Sequence, residues 1–204
     1  MRIVMTCLLL SLALSGADAA QPADSTGTQP APQTAKEAPL AAISPAERLD
    51  TYFAQLKKIR DPAAAAEVTA KIRGIWNDSG SATVNLLMQW ATDALKDKKY
   101  TVGLDYLDQA IALKPDYAEA WNRRATLHYA AGNYDKSMAD IAHVLVLEPR
   151  HFGALTGMAA ILEETGRDAD ALGVWEHILE IYPADRDSQG HVKSLSEKVA
   201  GSKT

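Results

Sequence analysis

Residues 118–151 read AEAWNRRATLHYAAGNYDKSMADIAHVLVLEPRH. Apolar side chains recur at helical spacing on both sides of Gly132-Asn133, a pair that favours the left-handed turn ending a helix, and Pro149 closes the stretch. This is the pattern of two amphipathic helices around a tight break. It recurs along the chain. Pro115, Pro149 and Pro183 stand 34 residues apart, and aligning on them gives three ungapped windows, 84–117, 118–151 and 152–185. Alanine occupies the eighth position each time, as Ala91, Ala125 and Ala159. Leu87, Trp121 and Leu155 share the fourth, and Leu107, Ile141 and Trp175 the twenty-fourth. Gly103, Ser137 and Ala171 keep the twentieth small. Gly166-Arg167 repeats the stop in the third window, whereas Lys98-Lys99 takes its place in the first and is a weaker one. Hairpins of this kind bury their apolar faces only by stacking, so the expected fold is an all-α solenoid.

The spacing, the small residues and the closing prolines resemble the tetratricopeptide repeat. The second window carries most of that pattern, in Trp121, Ala125, Gly132, Tyr134, Ile141 and Pro149. The resemblance covers residues 84–185 and implies a right-handed α-solenoid. It also implies a concave groove lined by the first helix of each repeat. Carried over by position, the residues facing it are Asn85, Met88, Thr92 and Lys96 in the first window. In the second they are Glu119, Asn122, Arg123, Thr126 and Tyr129, and in the third Thr156, Gly157, Ala160, Glu163 and Glu164. Some members of the family grip a C-terminal carboxylate with Lys and Asn, but Met88 and Thr92 stand at those positions here. Binding of that kind is therefore not carried over. The mixed polar and small surface implies a protein or peptide partner, with a small-molecule carrier as the alternative.

Beyond the repeats, Ser44-Pro45 with Glu47 reads as a capped helix start, and Asp61-Pro62 opens a second helix. Leu49, Tyr52, Phe53, Leu56 and Ile59 stripe the first; Val68, Ile72, Ile75 and Trp76 stripe the second, which Asn77–Ser81 ends. Residues 45–83 are thus expected to form a degenerate hairpin capping the N-terminal end of the stack, or else a separate docking hairpin. Val192, Leu195 and Val199 suggest a final capping helix within residues 186–204. An incompletely capped stack also leaves room for weak end-to-end self-association.

The N-terminus reads as a signal peptide. Met1-Arg2 precedes a 12-residue uncharged run, Ile3–Leu14, and the small-residue pattern Ala17-Asp18-Ala19 follows. The run is too short to span a bilayer, which takes roughly 20 residues. Cleavage after Ala19 removes residues 1–19 together with Cys7, the only cysteine. Residues 20–44, rich in Pro, Ala, Thr and Gln, then form a disordered linker. The expected location is the periplasm of a Gram-negative bacterium, with secretion as the second choice, and no membrane span in the mature form.

Chemistry is hard to find. There is no H-E-x-x-H, no G-x-S-x-G and no phosphate loop among the 204 residues. The five histidines are not spaced as metal ligands, so neither metal nor cofactor is expected, and no catalytic residue is assigned. Residues 84–183 hold nine basic and fifteen acidic side chains, which argues against nucleic acid and for a basic or neutral partner. Arg124, partly inward by its repeat position, needs a carboxylate, with Asp140 or Glu148 in reach. Arg150-His151, where Asp or Asn usually follows the proline, serves either the stack or a ligand.

Overall fold

A computed structural model describes residues 43–201 of the chain. The readings of a signal peptide over 1–19, of nearly all the 20–44 linker and of the last three residues lie outside them. Among the described residues there are nine helices and no strand. They are α1 (Pro45–Leu56), α2 (Pro62–Trp76), α3 (Ala82–Lys96), α4 (Tyr100–Leu113), α5 (Ala118–Ala130), α6 (Tyr134–Leu147), α7 (Phe152–Glu164), α8 (Asp168–Ile181) and α9 (Arg186–Gly201). The pairs α3–α4, α5–α6 and α7–α8 are the three windows.

The turn inside each pair ends its first helix in the same way. Gly132 and Gly166 sit at φ 76° and 73°, and the N–H of the next residue, Asn133 or Arg167, donates to the carbonyl five residues back at 2.8 Å. Lys98 adopts the same left-handed turn at φ 58°, with Lys99 N–H on the Ala94 carbonyl at 2.8 Å. The weak stop is therefore a full stop, held against the steric preference of a side-chain-bearing residue.

Small residues set the spacing of the paired helices. Ala91, Ala125 and Ala159 are all buried, and the Ser137 hydroxyl donates to the Ala125 carbonyl at 2.8 Å. A Cβ on Gly103 would lie 2.8 Å from Leu127 Cδ1. Stacking then buries one face of each later window on the one before. Ala120 and Leu127 of α5 join Leu107, Ala110 and Ile111 of α4 in one cluster, and Ala154 and Ile161 of α7 join Ile141 and Val144 of α6 in another. At the far end α9 lies on α8, burying Leu195 and stacking His191 on Trp175 at 4.2 Å.

The N-terminal hairpin does not cap α3. The helix starts are as expected, with Ser44 and Glu47 forming a reciprocal cap and Asp61 capping α2. Its apolar face of Phe53, Leu56, Val68, Ile72 and Trp76, however, merges with the core of the third window. Trp76 stacks on His151 at 4.1 Å and meets Phe152 at 4.9 Å, and Arg150 bridges to Asp50 at 2.7 Å while lying over the Phe53 ring. The hairpin packs on the third window of the same chain. The physical reason is the seat: the 150–152 junction and Tyr182 present aromatic and charged groups that a bulky aromatic hairpin matches.

Candidate functional site: the groove along α3, α5 and α7

Helices α3, α5 and α7 lie side by side. Their polar side chains form a network before any partner arrives. Glu119 is at its centre. Its carboxylate accepts from Arg123 Nε at 3.0 Å and from Asn122 Nδ2 at 3.0 Å, and contacts His151 Nε2 at 3.2 Å. His151 Nδ1 accepts the Ala154 N–H, so Nε2 carries the proton toward Glu119 and the ring caps α7 at the same time. Burial alone would raise the Glu119 pKa, but the hydrogen bond from His151, with the charge and bond of Arg123, outweighs it and holds the carboxyl below its ordinary range.

Arg123 is equally committed. Its Nη1 donates to Thr92 Oγ1 at 2.8 Å and to the Met88 carbonyl at 3.1 Å, and its Nη2 to Asn77 Oδ1 at the end of α2. Arg123 is thus neutralised by Glu119 and tied to α2, α3 and α5 together.

Two recesses open on either side of Asn122 and Thr126. The first, about 270 Å³, is lined by Ala91, Thr92, Leu95, Glu119 and Arg123 over Leu107 and Leu127. The second, about 240 Å³, has Tyr129, Thr156, Gly157 and Ala160 around a floor of Ala125, Ile141 and Ala154. Thr126 and Thr156 are exposed, with hydroxyls that donate back to Asn122 and Phe152 carbonyls. The structure therefore brings together Thr92, Glu119, Asn122, Arg123, Thr126, Tyr129 and Thr156.

Asn85, Met88 and Glu163 are elsewhere; the Asn85 amide is taken up by Ser79 and Asp78 in the link before α3. Met88 is 2% exposed and belongs to the core around Leu107, because a thioether gains nothing by staying in water. Glu163 faces α8 and α9: it accepts the Trp175 indole N–H at 2.6 Å and pairs with His191 at 2.9 Å. Its neighbour Glu164 binds the hydroxyls of Tyr129 and Tyr134, which lower its pKa, while that bond pushes Tyr129 up to about 12. Sequence reasoning missed Asn77, Trp76 and Arg73, which with Asn122 and His151 line a third recess of about 120 Å³ at the rim. The only signal was the polar run ending α2.

The ambiguous basic residues are structural. Arg124 clasps Asp140 through two bonds of 2.9 and 2.7 Å and reaches Asp108 at 2.7 Å; the Asp140 bonds above all push its pKa further up. Arg150 binds Glu148 and Asp50. Among the described residues no group of three or more His, Cys, Asp or Glu could hold a metal ion, and no helix is long and apolar enough to cross a membrane.

No family model matches the chain. It is 57% identical over 183 residues to a TPR repeat-containing protein of Rhizobium etli, covering 87% of this chain and 90% of that one. It is also 35% identical over 77 residues to the human SGT1 homolog, 38% of this chain and 21% of that protein. Among solved structures, the first TPR domain of Spaghetti (RPAP3) bound to the HSP90 peptide SRMEEVD superposes with TM-score 0.55 at 17% identity, over 59% of this chain and 95% of that one. The Sgt2 TPR domain of Aspergillus fumigatus superposes with TM-score 0.56 at 17% identity, over 60% and 83%. Three stacked hairpins of 34-residue period, their small-residue contacts and a relative this similar over nearly its whole length lead to one assignment: the chain belongs to the TPR repeat-containing proteins.

Proposed function

We propose that this protein is a non-enzymatic scaffold of the periplasm that holds an extended peptide or a partner helix along α3, α5 and α7. The observation that carries this reading is the pair of recesses meeting at Asn122 and Thr126. Both have apolar floors and polar rims, the composition that seats alternate side chains of a peptide while rim groups bind its backbone. Gly157 and Ala160 carry little side chain and so leave the second recess open to a peptide main chain. Arg123 is neutralised by Glu119, and the excess of carboxylates over residues 84–183 favours a neutral or basic segment. The HSP90 peptide held by one structural neighbour supports peptide binding as a use of this fold, but Met88 and Thr92 do not support the same ligand.

Photocrosslinking from position 126 in the native host, followed by mass spectrometry and N-terminal sequencing, tests this. The expected result is a discrete protein partner on a chain that begins at Ala20. Thr126→Arg with Gly157→Leu fills both recesses and should weaken the partner about tenfold or more. A chain beginning at Met1 defeats export. Crosslinking indifferent to the two substitutions defeats the groove, and a retained small molecule with no protein crosslink points to the carrier.

A further inference from the structure

Among the described residues, nothing stacks on the outer face of the first window. Leu86, Trp90 and Val102 are 42%, 44% and 42% exposed, and Tyr106 lies against Trp90 at 5.5 Å. All four are uncharged and stand one turn apart on α3 and α4. The internal repeat says what such a face is for. Leu86 occupies the repeat position of Ala120 and Ala154, which are 0% and 1% exposed because each packs on the hairpin before it. Trp90 occupies the position of Met158, packed against the α6 cluster, and of Arg124, which clasps Asp140 instead. At Leu86 the first window thus displays a position that the second and third bury, and around it the apolar Val102 stands where those windows carry the exposed Lys136 and Asp170; the hairpin that precedes it in sequence is seated on α7 instead.

We infer that this face is a self-association surface, on which a second copy of the chain stacks head to head. The other end of the stack cannot receive it, because α9 covers that face and buries Leu195. Head-to-tail growth is therefore closed off, and a two-fold contact of α3 and α4 with their counterparts remains, giving a dimer and not a filament. The contact continues the mode already used twice within the chain, helix pair on helix pair. Helices of about 21 Å, set about 10 Å apart, offer on the order of 400 Å² per copy, roughly 800 Å² in all. That is below the size of stable complexes, about 1,200 Å² and above, so the dimer is weak and concentration-dependent. Trp90 and Tyr106 at its centre are residue types that dominate such contacts.

Sedimentation equilibrium of the full chain, from low-micromolar to sub-millimolar concentration, tests the inference. The average mass is expected to rise from that of one chain toward twice that value. Trp90→Glu, and separately Val102→Glu, should hold it at the monomer with unchanged helical circular dichroism; both sites are exposed, so folding is not at stake. Ser194→Glu on the outer side of α9 should leave dimerisation intact. A wild type that stays monomeric throughout overturns the proposal, whether the face is then bare or reserved for another protein's helix. So does a dimer that survives Trp90→Glu and Val102→Glu, or one that Ser194→Glu abolishes.

Discussion

Glu119 shows how one side chain serves both the stack and the groove. It is half-way between core and rim, and its three partners come from α5 itself and from the junction before α7. Its folded pKa is lower than the ordinary value of 4.5, so the unfolded chain binds the proton more readily. The stability it contributes is complete above that ordinary value and is lost as pH falls through the lower, folded one. Glu119→Gln keeps the shape but leaves Arg123 without its counter-charge, and should cost about 2 kcal/mol at neutral pH. Urea titrations at pH 7 and pH 3.5 check this: the gap between wild type and variant should narrow at the lower pH. That Glu119 and Asn122 face the groove was legible from their repeat positions. That Met88 and Glu163 do not face it was not, because position says which way a helix face turns and not which neighbours claim the side chain. Glu163 is claimed by Trp175 and by His191 of a helix outside the repeat.

Among the helices, the repeat was legible because its determinants are local. The 34-residue spacing, the glycine stops and the caps of Ser44 and Asp61 each act within a few residues of chain. The turn between α3 and α4 is the exception that tests the rule. Lys98 holds φ 58° without the freedom of glycine, so the helix stop there is imposed by the packing of α3 on α4. Lys98→Gly removes the Cβ clash, partly offset by the larger backbone entropy of glycine in the unfolded chain, and should stabilise the protein by about 1 kcal/mol. The midpoint of chemical denaturation should rise with an unchanged slope, as expected when stability changes and compactness does not.

For the whole molecule, the decisive feature is the one the sequence did not disclose. The α1–α2 hairpin has a readable helical pattern, but its seat lies in residues 150–182, and no repeat or cap signals a contact across that separation. Trp76 carries the docking, stacked on His151 and flanked by Phe53 and Phe152. Trp76→Ala should cost about 3–5 kcal/mol. Because the repeats keep their own cores, the loss should appear as early protease cleavage within residues 77–81 with most helix retained, followed by a separate unfolding of the stack. The same contact sets a timetable for folding. Ordinary repeat arrays fold by nearest-neighbour additions and can begin anywhere. Here α1 and α2 wait for a platform that lies about 100 residues further along the chain, as the Asp50–Arg150 pair requires. Until that platform has formed, Phe53, Leu56, Ile72 and Trp76 lack the cover that the third window gives them. The chain therefore closes last where it began first, and its hairpin is the segment with most reason to need a chaperone's hold.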